Sequence, residues 1–130
     1  MEYSLDFDTE PGTLIGTLSG LASLEGLLAY QAAYLADPRR RPGMKVLTDL
    51  RALDPRDLTT DELRAIADSN AMRSERFGSG RSAVVVSEPA AFGLMRMFQA
   101  FTEDAGFDQQ LFYSMDDARR WLAAEPDPGP

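Results

Sequence analysis

The sequence predicts a single α/β domain on a mixed, mostly parallel sheet of about five strands, opened by a β-hairpin and carrying four helices. Three observations predict it. Tyr3, Leu5 and Phe7 alternate with Ser4, Asp6 and Asp8 ahead of Pro11-Gly12, the pattern of a half-buried hairpin strand. Ser82-Ala83-Val84-Val85-Val86 is an unbroken apolar run, as expected of a strand covered on both faces at the sheet centre. Helical periodicities fall between the strand patterns, and repeated β-α steps build parallel sheets with right-handed crossovers.

Glu10-Pro11-Gly12-Thr13 reads as a type II turn, with Pro fixing φ and Gly taking the positive φ. Thr13 to Leu18 is the return strand, and Ser19-Gly20 closes the hairpin. Leu24, Leu27, Leu28, Gln31 and Leu35 recur at helical spacing to about Ala36, where Asp37-Pro38 stops the helix. Met44 to Leu50 is a short apolar strand. Thr59-Thr60-Asp61-Glu62 carries a capping box, with Thr59 as N-cap and Glu62 three residues on, ahead of a stripe of Leu63, Ile66, Ala67 and Asn70. A third helix is predicted over 89–105, with Gly106 as its C′ residue. Residues 107–113 form an edge strand, and Ser114 opens a short helix bearing Trp121 and Leu122. The domain therefore spans 1–124. Residues 125–130, Glu-Pro-Asp-Pro-Gly-Pro, read as a disordered tail.

Composition narrows the chemistry. Cysteine and histidine are both absent, which removes disulfides, thiol nucleophiles, Cys/His zinc sites and the commonest general base. A metal would have to be a hard ion on oxygen ligands. The net charge of -8 argues against a nucleic-acid surface and against anionic membranes. No apolar run approaches the length of a membrane span, and Met1 to Asp6 has no signal-peptide pattern, so a cytoplasmic location is expected. No G-x-x-x-x-G-K-[ST], G-x-G-x-x-G or G-x-S-x-G occurs, and Gly78-Ser79-Gly80 is a turn without phosphate-loop context. No cofactor, no metal and no enzymatic activity are expected.

Two local patterns carry a family resemblance. One is Lys45-Val46-Leu47-Thr48-Asp49-Leu50-Arg51, a strand ending in an acidic-apolar step. The other is Ala83-Val84-Val85-Val86 followed by Pro89 and by Ala91-Phe92-Gly93-Leu94-Met95-Arg96-Met97-Phe98. With the element order, they resemble the STAS / SpoIIAA-like group of bacterial anti-sigma-factor antagonists and their small stand-alone relatives, over residues 3–123. The resemblance implies a SpoIIAA-like β-α superhelix and a regulatory role through protein binding. In the antagonists a Ser or Thr at the helix after this strand is phosphorylated, in a motif close to Asp-Ser-Ser-Gly. The matching stretch here is Asp57-Leu58-Thr59-Thr60-Asp61, which makes Thr59 and Thr60 the candidate phospho-acceptors but lacks the Asp-Ser and the Gly. A phosphoryl group would suit a helix N-terminus, yet Asp57, Asp61 and Glu62 would repel it.

Other residues invite competing readings. Asp49, Asp54 and Asp57 read either as a solvated strand-to-helix loop or as a ligand-binding sheet edge. A magnesium site of the receiver kind would also need a lysine after the last strand, and the single lysine is Lys45. Arg39, Arg40 and Arg41 read as a solvated loop or as a phosphate or acidic-partner contact. In the third helix, Leu94, Met97, Phe98 and Phe101 make an apolar stripe that Ala91, Phe92 and Met95 widen beyond the usual arc of roughly 100°. That helix is either covered on two sides or turned partly toward a partner, with Phe92, Met95, Arg96 and Gln99 as the contact set. Gly93 would permit close approach of another element.

Three functions follow. The leading one is a non-enzymatic STAS-like regulatory or scaffolding module that binds another protein, with a homodimer as one form. The second is a carrier of an apolar small molecule or lipid, since part of the family is linked to SEC14-type lipid binders. A domain of this size is expected to have little volume to spare beside its core. The third is a cryptic enzyme, with Asp49 and Arg51 as its pair.

Overall fold

The computed structural model describes residues 1–8, 12–39, 41, 44–72, 81–102 and 108–124. Across them run β1 (Glu2–Asp8), β2 (Thr13–Leu21), α1 (Leu24–Ala36), β3 (Lys45–Asp54), α2 (Thr60–Met72), β4 (Arg81–Val85), α3 (Pro89–Thr102), β5 (Asp108–Phe112) and α4 (Met115–Ala123). The element order is the expected one. Arg40, the turn glycines Gly78 and Gly80, Gly106 and the expected tail 125–130 lie outside the described residues.

The strands form one sheet in the order β1-β2-β3-β4-β5. β1 runs antiparallel to β2 and the remaining pairs are parallel. Chain order and sheet order coincide because each helix returns the chain beside the strand it has just left, as a right-handed crossover does.

The register sorts side chains onto two faces. Tyr3, Leu5 and Phe7 pair with Leu18, Gly16 and Leu14, so the alternation read in β1 places its apolar side with the apolar side of β2. Across the parallel strands the same face carries the rows Leu14-Val46-Ser82-Gln109 and Gly16-Thr48-Val84-Leu111. α1, α2 and α3 cover this face. Leu63, Ile66 and Ala67 of α2 pack against Leu24 and Leu27 of α1 and against Leu94 and Met95 of α3. The opposite face is closed by α4, whose Ala118 and Leu122 pack on Leu47, Ala83 and Val85. β4 is therefore covered on both sides, as its apolar run requires.

Caps fix the ends of the helices. Ser23 and Ser114 accept from Gly26 N at 3.0 Å and Asp117 N at 3.3 Å. In α2, Thr59 N donates to Glu62 Oε1 and Glu62 N to Thr59 Oγ1, each at 3.1 Å, which closes the expected capping box. The guanidinium of Arg81 lies 4.9 Å from the Trp121 ring centroid and donates to Trp121 O and Ala124 O at 2.9 and 3.2 Å. A cation thus sits on the unpaired carbonyls at the end of α4.

Three local readings need correction. β2 does not stop at Leu18: Ser19, Gly20 and Leu21 pair with Ala52, Leu53 and Asp54 beyond an irregularity after Thr17, and β3 extends likewise past Leu50. Ser19-Gly20 is a turn signal by composition, but Gly20 takes φ 86° and carries the strand on. In α1 the buried residues are Gln31 and Tyr34, while Leu28 and Leu35 are half-buried. Gly93 is exposed, and among the described residues nothing lies within 4 Å of the position its Cβ would occupy. Gly93→Ala is therefore expected to stabilise the protein by about 1 kcal/mol through helix propensity alone. A urea midpoint that fails to rise would contradict this placement.

Candidate functional site

The helical cover does not fill the space above the sheet. Val46, Thr48 and Leu50 of β3 and Ser82, Val84 and Val86 of β4 form the floor of a cavity of about 180 Å³. Leu27 and Gln31 of α1, Leu63 and Ile66 of α2, and Leu94 and Met95 of α3 form its walls. The void follows from residue size: Thr48, Ser82 and Ala91 are small where neighbours on the same surfaces are Leu, Val or Met. Against the expectation of little volume to spare beside the core, the domain keeps a cavity of single-ring size. A purely apolar cavity of roughly 150 Å³ already holds a benzene ring.

The lining is apolar except at a few positions, and among the described residues none that lines it is charged. Gln31 is buried, with 6% exposure; its Nε2 donates to Ile66 O at 3.3 Å, while its Oε1 has no hydrogen-bond partner among the described residues. Gln109 Oε1 on β5 is likewise without a partner. Tyr30 reaches under β2, where Gly16 leaves room for its hydroxyl. That hydroxyl makes no hydrogen bond of sound geometry. Burial pushes the Tyr30 phenol well above its ordinary pKa, with the Thr48 side chain opposing and Tyr34 adding a smaller upward effect. Three buried polar atoms without partners thus belong to residues that line one cavity.

The residues singled out from the α3 pattern do not share one surface. Met95 turns inward, lines the cavity and packs on both the α2 cluster and the sheet. Phe92 packs on Val84, Val86 and Leu111 and stacks on Tyr113 at 5.0 Å. Gln99 donates to Gln109 O at 2.9 Å, and Arg96 is exposed. Leu94, Met95, Ala91 and Phe92 thus have their cover within the chain, from α2 on one side and the sheet on the other. Met97 and Tyr113 remain exposed at 41% and 53%.

The acidic positions are not brought together. Asp49 lies within β3, and Arg51 two residues on donates to both of its oxygens at 2.9 Å. Asp37-Arg39 repeats this clamp, and Asp54-Arg56 forms a looser one at 3.2 Å. Hydrogen bonding from Arg39 holds the Asp37 carboxyl at about 2, and that from Arg51 lowers Asp49. Arg39 also donates to Leu5 O at 3.3 Å, tying the basic loop to the edge of the sheet. Among the described residues no group of three acidic side chains is placed to hold a metal. Thr60 is exposed and Thr59 is engaged in its cap.

The architecture is that of a SpoIIAA-like fold. It is similar to an uncharacterised protein of the DUF3478 family with a SpoIIAA-like fold from Shewanella loihica PV-4, with TM-score 0.61, 17% identity, and coverage of 93% of this chain and 92% of that one. No family model matches the sequence. No curated protein matches it. Among the described residues no helix is long and apolar enough to cross a membrane.

Proposed function

We propose that this chain is a non-enzymatic binding module that holds a small, largely apolar molecule between its sheet and its α1-α2-α3 layer. The observation that carries the reading is the cavity of about 180 Å³ with an uncharged lining. Ligand sites are characteristically concave and apolar with a few polar groups, and the lining offers no nucleophile–base pair or charged group with which to do chemistry. The reading places the carrier function above the protein-binding one that the α3 pattern first suggested. A regulatory or scaffolding role through protein binding draws separate support from exposed Tyr113, stacked on Phe92, and from exposed Met97.

Titration calorimetry with indole tests the carrier reading. Saturable one-to-one binding is expected for the wild type. At least a tenfold loss is expected for Val84→Phe, which sets a ring into the cavity floor. Leu94→Phe on the opposite wall serves as the second variant should the first fail to fold. Equal heats from the wild type and a folded variant would contradict the site.

A further inference from the structure

The polar atoms in the cavity wall say which end of a molecule they would meet. Gln31 Nε2 is committed to Ile66 O, which fixes the amide and leaves Oε1 as an acceptor without a donor. Gln109 Oε1 is a second such acceptor. The Tyr30 hydroxyl, the third atom, can donate or accept. Buried acceptors left unpaired are unfavourable, and a ligand that supplies a donor removes that penalty on binding. Among the described residues no Lys or Arg lines the cavity, so a carboxylate or phosphate would enter without a counter-charge and lose its hydration. Tyr30, with its phenol held neutral by burial, adds no charge.

Resting on the binding reading above, we propose that the cavity selects neutral, single-ring-sized molecules that carry a hydrogen-bond donor, such as a hydroxyl or ring N–H, received by Gln31 or Gln109. Fatty-acid anions and other charged amphiphiles are excluded by the same lining. The volume sets the size class, since it is only modestly larger than a cavity that holds benzene.

Indole and benzofuran share shape and differ in one atom, an N–H donor against a ring oxygen. Calorimetry on the full chain is expected to show indole binding about tenfold tighter, the worth of one well-placed hydrogen bond that also relieves a buried acceptor. Gln109→Met or Gln31→Met, whichever amide receives the N–H, is expected to bring indole down toward benzofuran while leaving benzofuran unchanged, and no change in either folded variant would overturn donor selection. Benzoate is expected not to bind. Equal affinities for the two rings in the wild type would overturn donor selection and leave the carrier reading standing. Loss of both rings in either folded Gln variant, or benzoate binding as tightly as indole, would overturn it too. If neither ring binds, both readings fall together.

Discussion

Leu47→Ala is expected to destabilise the protein by about 3 kcal/mol, from lost transfer energy together with the void left behind. Leu47 is 0% exposed on the central strand β3, and Ala83, Val85, Ala118 and Leu122 enclose it. Each of those neighbours is short or already seated on the sheet, so the site cannot collapse easily around an alanine. Set against total stabilities of about 5–15 kcal/mol, this is a large fraction. Leu47 faces α4, whereas the proposed ligand cavity lies on the other side of the sheet. The variant is therefore expected to lose stability in urea titration while keeping its affinity for indole below the transition. A loss of less than about 1 kcal/mol would mean that α4 is not the seal of this face.

Gly16→Ala is expected to cost about 2 kcal/mol by overpacking. A Cβ at Gly16 would run into the Tyr30 hydroxyl and ring edge. Tyr30 has little freedom to retreat, since its ring stands edge-on to Tyr3 at 5.6 Å and lies 6.3 Å from Tyr34. Tyr30→Phe alone is expected to be close to neutral, because the hydroxyl it removes has no partner to lose. In the double variant part of the Gly16→Ala cost should disappear, so the two changes are expected to be non-additive in urea unfolding. Simple additivity would show that Tyr30 does not occupy the place that Gly16 leaves open.

The fold was legible because its signals are local. Tyr3-Leu5-Phe7 alternation, the Thr59–Glu62 box, the Ser114 cap and the apolar β4 run each need only a few neighbouring residues to act, and each acts as read. The extension of β2 was not legible, because Ser19-Gly20 has turn composition and it is pairing with Glu2, Ala52 and Leu53 that makes it a strand. The cavity was less legible still. It is a difference between the volume enclosed by three helices and a sheet and the volume of the side chains within it, and no stretch of sequence contains that difference. A trace of it existed in Gln31, a polar residue in the leucine stripe of α1, and in Ser82 and Gln109, neighbours on one row of the sheet. On α3, Met95 and Phe92 look surplus on a helix wheel, yet both pack within the chain, Met95 on α2 and the sheet and Phe92 on the sheet.

The account stands on the cavity, and methyl NMR under xenon pressure tests it most directly, since xenon enters dry apolar cavities without needing a polar contact. Saturable shifts are predicted for methyls of Val84, Val86, Leu63, Ile66 and Leu94, with Leu47 and Leu122 on the opposite face unmoved. No shift at the cavity methyls, or equal shifts on both faces, would contradict the account.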